Sequence, residues 1–361
     1  MNESSQDVRP GDAEAGIEEA RKLDLAVGGQ AVIEGVMMRS PTAIATAVRN
    51  PEGRIVIRKK PFRSIVGRFK WLNVPVFRGG VHLIETMGLG IDALMFSADQ
   101  AVSEDRVDRE KAPLKDHVWM WATVVFAFVL SLGLFFYLPL MITHWMGVEG
   151  TVWFNVVDGV IRVALFVLYL LAISKMKDMA RVFEYHGAEH KSIHAFENGR
   201  SLDAPGARPF TTLHPRCGTS FLFFVMIISI VVFVFLGKPD TVGERLLRLA
   251  FVPVIGGLAY EAIKLSARFC DAWWLKPAIA PGLWLQKVTT SQPDDDQLEV
   301  AMAALRATLT PEAEGFRTRI YYDLVAEPEP EPAAASATPA GAEPEADPGT
   351  EPGAEGVGGV S

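Results

Sequence analysis

Cysteine is nearly absent. Two thiols, Cys217 and Cys270, in 361 residues exclude a disulfide framework and fit a reducing compartment. The first 25 residues are polar and acidic with no apolar core, so no cleavable signal peptide is expected and 1–26 reads as a disordered lead-in. No basic domain with interleaved aromatics occurs, which argues against a nucleic-acid partner. The formal net charge of −8 does not change this. Residues 324–361 carry eight acidic side chains and neither Lys nor Arg, leaving 35 basic against 35 acidic residues elsewhere. The acidity belongs to a tail, 310–361, whose Pro, Glu, Ala and Gly cannot build a core, so it is expected to be mostly disordered.

Apolar residues, by contrast, are abundant: 49% of the chain, with positive mean hydropathy. Long runs with few or no charges read as four membrane spans, near 118–142, 152–173, 219–236 and 249–267. Trp119, Trp121 and Trp145 bracket the first like interfacial anchors. Asp158 and Arg162 interrupt the second at i, i+4 spacing, so they are expected to pair on a face turned toward the bundle. Glu261, Lys264, Arg268 and Asp271 form a polar stripe on the fourth.

The connection 143–151 has no Lys or Arg whereas 174–217 has seven, which places the long connection and both termini in the cytoplasm of a bacterial plasma-membrane protein. The fold class expected is therefore mainly α, a polytopic helical membrane protein of about four spans with a small cytoplasmic α+β N-terminal part. Residues 27–112 supply that part, 113–272 the four-span bundle with a His-rich connection at 174–218, and 273–309 an interfacial loop and an amphipathic helix.

Within 27–112, residues 42–60 alternate around Asn50-Pro51-Glu52-Gly53 and read as a hairpin. From Gly53 to Ile84 there are eight basic residues and no acidic one, a stretch expected to lie against anionic lipid. Residues 79–102 carry Glu85 and Asp92 and fit a helix lying along the membrane or packing on the bundle better than a span. Downstream, Asp294 and Gln297 form a capping-box-like start to a helix with Leu298, Met302, Leu305 and Leu309 inward.

The stretch RVFEYHGAEHKSIHAFENG, 181–199, holds three of the seven histidines. As a helix it places His186, Glu189, His190, His194 and Glu197 within an arc of about 140°. An i, i+4 histidine pair offers two imidazoles to one ion, and a neighbouring carboxylate can complete the shell or act as a base. The bland alternative is a solvated polar face. No strong breaker separates Ile173 from Gly187, so the helix is expected to continue the second span, with Asn198-Gly199 as its stop. His214 and Cys217 in LHPRCGTSF precede the third span at the same boundary and can reach the same ion. Glu261 is a further candidate ligand, although an ion pair explains it equally well.

GGQAVIEGVMMRSP, EYHGAEHKSIHAFENG, HPRCGTSF and APGLWLQKVTTSQPDDDQLEVA, in this order over about residues 27–309, resemble the YqhQ-like family of bacterial membrane proteins, a domain of unknown function. The resemblance implies only a metal-dependent membrane enzyme with no established substrate. His186-Gly-Ala-Glu189-His190 also matches the HxxEH pattern of inverted zinc proteases, yet those are soluble and nothing else here resembles them.

The first functional expectation is a metal-dependent hydrolase at the cytoplasmic boundary, acting on a lipid-linked or membrane-protein substrate. Its ligands are His186, His190, His194, His214, Cys217 and Glu261 on a divalent ion, zinc by preference, with Glu189 or Glu184 as base. The alternative is a non-enzymatic membrane scaffold or assembly factor. The lipid bilayer, a membrane-embedded substrate or partner protein and a second copy of the chain are the partners weighed. Four spans make a poor pore, so transport ranks behind both.

Overall fold

Ile33 and Glu34 reverse the chain between β1 (Gly28–Val32) and β2 (Gly35–Arg39), with Glu34 in the left-handed region at φ 52°. Asn50 to Gly53 does the same between β3 (Ala43–Arg49) and β4 (Ile55–Pro61); there the Asn50 carboxamide accepts the Arg54 N–H at 2.8 Å and Gly53 takes φ 82°. The second hairpin is the expected one. The first is hidden in the apolar run GGQAVIEGVMMRSP. The computed structural model describes residues 27–101, 114–215, 217–268, 276–310 and 318–322. Within these, a fifth strand, β5 (Arg319–Tyr322), closes an antiparallel sheet of order β1-β2-β3-β4-β5. This strand lies within the segment expected to be mostly disordered.

The rest of the described chain is mainly helical. In order come α1 (Phe77–Gln100), α2 (Leu114–Leu132), a π-turn at Gly133–Tyr137, α3 (Leu138–Trp145), α4 (Thr151–Ile173) and α5 (Lys177–Glu197). Then follow α6 (Gly218–Leu236), α7 (Val242–Ala250), α8 (Val252–Arg268), α9 (Lys276–Thr289) and α10 (Asp295–Leu309). Five helical stretches are long and apolar enough to cross a membrane: Phe77–Gln100, Val125–Trp145, Thr151–Ile173, Gly218–Leu236 and Val242–Leu265. The first is one more than the four expected.

Both faces of the sheet are covered, which is why β2 and β3 show little polar alternation. Val36, Met38, Ala45, Ala47, Ile55 and Ile57 meet α5 and α10 on one face. Val32, Met37, Ile44, Val48 and Val56 meet Ala93 and Phe96 of α1 on the other. Helix α10 has its expected inward row, Leu298, Met302, Leu305 and Leu309, all buried. Its start is a complete capping box: Asp294 accepts the Gln297 N–H at 2.8 Å, and the Gln297 side chain accepts the Asp294 N–H at 3.0 Å. Replacing Asp294 by alanine is expected to cost about 1 kcal/mol of stability. A thermal midpoint unchanged from wild type would contradict that role for the cap.

The basic stretch is less free for lipid than expected. Arg58 and Lys60 both pair with Asp92 of α1, at 2.8 and 2.7 Å. Lys59 is buried with its ammonium donating to the Thr310 carbonyl at the C-terminus of α10, and Arg78 grips Glu261. Helix α1 crosses α8 closely because both are small there: a Cβ on Gly79 would lie 2.8 Å from the Gly257 Cα.

In the bundle, Arg162 pairs with Asp158 at 2.8 Å, and Asp158 is 1% exposed, so the pair is turned inward as expected. The guanidinium also lies over Phe136 and Phe233. A third member had no signal in the sequence: Arg248, buried at the end of α7, donates to the Asn155 carboxamide oxygen at 2.6 Å and to the Gly237 carbonyl.

Two expectations about connections fail. Helix α5 does not continue α4; Ser174–Met176 breaks the pair and Met176 is extended at the N-cap of α5. Packing decides this, because α5 is held against β1, β2 and α10 in the sheet layer. Residues 276–289 are a helix containing Pro281, not a loop. Trp273, Trp274, Cys270 and Asp271 lie outside the described residues.

Candidate metal centre

Helix α5 carries the histidines at four-residue spacing and ends as expected at Asn198 and Gly199, where Gly199 takes φ 67°. Two passing segments, 212–217 and 286–291, close over it. Gly187 makes the approach of the second segment possible: a Cβ there would overlap the Ser291 carbonyl oxygen and come within 3.1 Å of the Thr212 methyl. The Ser291 N–H is bonded to the Phe183 carbonyl at 2.9 Å, which fixes this segment against the helix.

The contact sets the imidazole orientations. His186 Nδ1 faces the Thr289 carbonyl oxygen at 2.7 Å, and His190 Nδ1 faces that of Thr212. A carbonyl only accepts, so both Nδ1 atoms donate, and in a neutral ring the lone pair then sits on Nε2. Backbone carbonyls often orient metal-bound histidines in this way. His186 Nε2 lies 3.2 Å from Cys217 Sγ. His190 Nε2 is buried with no hydrogen-bond partner. One ligand atom from each of His186, His190 and Cys217 falls within 4.8 Å of the others. Two nitrogens and a sulfur suit zinc, with a fourth position left over.

Cys217 is the N-cap of α6, its sulfur accepting the Thr219 N–H at 3.4 Å. Gln286, fully buried, clamps the neighbouring loop: its oxygen accepts the His214 N–H and its nitrogen donates to the His214 carbonyl, both at 2.8 Å. Gln286, Thr289 and Thr212 are not among the residues that sequence spacing points to. Two of them act through backbone carbonyls, which carry no residue signature.

His194 and His214 form a second cluster with Glu197, again with ligand atoms within 4.8 Å. The rings of His194 and His214 are 4.7 Å apart, and those of His190 and His214 5.7 Å. Glu189 is buried beside β1, where it accepts the Gly29 N–H; burial pushes its carboxyl up to about 7, against the opposing pull of His186.

The other two carboxylates stand apart. Glu184 accepts from the Gln297 side chain at 2.8 Å and so supports the start of α10. Glu261 is bidentate on Arg78 at 2.6 and 2.5 Å, not on Lys264, and joins neither histidine cluster. The expected convergence of Glu261 on the histidines is absent because α1 delivers a guanidinium to it first.

Fold and site together define a helical protein with candidate membrane-spanning helices and a sheet layer that carries a buried His/Cys cluster. A family model described as a protein of unknown function (DUF1385) matches residues 74–311, and the chain belongs to that family. It is 31% identical over 303 residues to the uncharacterized protein YqhQ of Bacillus subtilis (strain 168), covering 81% of this chain and 95% of that one. No solved structure matches.

Proposed function

We propose that the protein is a metal-dependent enzyme of the membrane, hydrolytic in class, whose site lies at the cytoplasmic boundary. The observation that carries the metal reading is the unpartnered, buried Nε2 of His190 set beside His186 Nε2 and Cys217 Sγ. A buried polar atom without a partner is costly, and three soft or borderline donors converging on one point are what zinc takes. Bound there, the ion would supply Lewis acidity and an activated water. His186 and His190 would hold it in the tautomer that the Thr289 and Thr212 carbonyls impose. Glu189, one turn from His186 and electrostatically coupled to it, would serve as the base. Location at the membrane favours a lipid-linked or membrane-protein substrate.

Insertion is supported by the apolar side chains that the bundle leaves uncovered, among them Phe126, Phe128, Val129, Leu168, Val231 and Phe235. Parity supports four crossings. Strands β1–β4 precede α1, yet they share one layer with α5, α10 and β5. An even number of crossings must therefore separate β4 from α5. With α2–α3 and α4 crossing, α1 cannot, and its pairing of Asp92 to Arg58 and Lys60 keeps its second half on the sheet. The remaining two crossings, α6 and α7–α8, return the chain to the same layer. The seven basic residues of 174–217 support a cytoplasmic side for that layer.

Metal analysis of detergent-purified protein tests the proposal. Stoichiometric zinc, or another divalent metal, is expected in the wild type and should be lost on His190→Ala. Folded wild-type protein without metal would sink the enzyme reading and leave the scaffold.

A further inference from the structure

We infer that the chain holds a second metal ion, chemically distinct from the first, between His194, Glu197 and His214. The inference rests on the metal reading above and extends it from one ion to two. The six residues that sequence spacing assigns to a single ion do not meet at one point: five of them, with Glu197, divide into two triads, His186/His190/Cys217 and His194/Glu197/His214.

The second triad is ordered by its own contacts. His194 Nε2 faces the Leu213 carbonyl oxygen at 3.0 Å and therefore donates there, which leaves Nδ1 to carry a lone pair. Phe210 stacks on the same ring at 5.9 Å and holds its plane. Glu197 Oε2 stands 3.4 Å from His214 Nε2. Gln286 pins the His214 backbone through both its N–H and its carbonyl.

The two triads differ in donor chemistry and in access. Two nitrogens and a thiol in the interior favour zinc. Two histidines and a carboxylate suit a harder ion, such as Mn2+ or Fe2+ as well as Zn2+, and leave coordination positions open. The Glu197 side chain is 29% exposed, so the second triad is reachable from water, whereas His190 and Cys217 are buried. Charge also permits two ions. Helix α5 rises about 6 Å per four residues, so ions in successive turns repel, but each triad contributes one anionic ligand, a thiolate or a carboxylate, to offset that repulsion.

The test is metal stoichiometry of the full chain in detergent, stripped with chelator and reloaded with Zn2+ or Mn2+, with Mn2+ also followed by its electron-spin signal. Two ions per chain are expected. Glu197→Gln and His194→Ala should each remove one and keep the other; Cys217→Ser should remove the complementary one. Glu197→Gln changes an exposed, isosteric side chain, so retained folding, read by thermal unfolding, keeps that arm decisive. A single ion lost only in the His190→Ala and Cys217→Ser variants overturns the second site and leaves the proposed function standing. A single ion lost equally in both sets of variants also overturns it, in favour of one shared ion. Absence of any metal from folded protein overturns both.

Discussion

Gly187→Ala is expected to weaken metal binding by about 10–100-fold while leaving every candidate ligand in place. The added methyl would overlap the Ser291 carbonyl oxygen, a backbone atom that cannot rotate away, and would press on the Thr212 methyl at 3.1 Å. Relief requires α5 to separate from 286–291 or from the 212–217 loop. Those segments supply the Thr289 and Thr212 carbonyls that orient His186 and His190, so separation releases both rings. Overpacking of this kind costs about 1–3 kcal/mol, and loss of the outer partners of metal-bound histidines lowers affinity by about 10–100-fold. Zinc titration of Gly187→Ala against wild type reads the effect. Wild-type affinity in the variant would show that the carbonyl contacts do not shape the site.

Arg162→Leu should be the most destabilising single change in the bundle. It leaves Asp158, 1% exposed, without its counterion and empties the space over Phe136 and Phe233. Removing one partner of a buried pair costs about 3–5 kcal/mol, whereas replacing both by apolar residues of similar volume is often close to neutral. The double variant Asp158→Leu/Arg162→Leu is therefore expected to recover much of the loss. Unfolding in mixed detergent would compare the two. If Arg162→Leu unfolds like wild type, or the double variant is as unstable as the single one, the pair is not the source of stability. Arg248, hydrogen-bonded to Asn155 on the same helix as Asp158, limits the recovery, because its own charge remains.

Much of the fold is legible in the residues, and the failures have physical causes. The hairpin at 43–61 announces itself through Asn50-Pro51-Glu52-Gly53. The hairpin before it does not, since Ile33-Glu34 is weak turn chemistry and both faces of β2 are buried, which removes the alternation that marks a strand. Helix α10 is readable from its capping box and inward row. Helix α9 is not, because Pro281 and Gly282 argue against a helix that tertiary contacts nonetheless hold, with Gly282 pressed on Ser220. The break before α5 has no local signal at all; it follows from where α5 must pack.

For the site, periodicity alone brings His186, His190 and His194 to one face of one helix, and motif position places His214 and Cys217 beside a helix start. Side-chain identity and a spacing of four suffice for that, because they are local. The division of those residues into two triads, the removal of Glu184 to Gln297 and of Glu261 to Arg78, and the roles of Gln286 and of the Thr212 and Thr289 carbonyls depend on segments up to 183 residues apart. Such partners compete for the same side chain, and which one wins is set by the distance at which packing holds them. The sequence alone determined the apolar helices, the histidine face and the caps. Tertiary structure alone decided which donors meet, because a ligand set is a matter of angstroms that no spacing along one helix can specify.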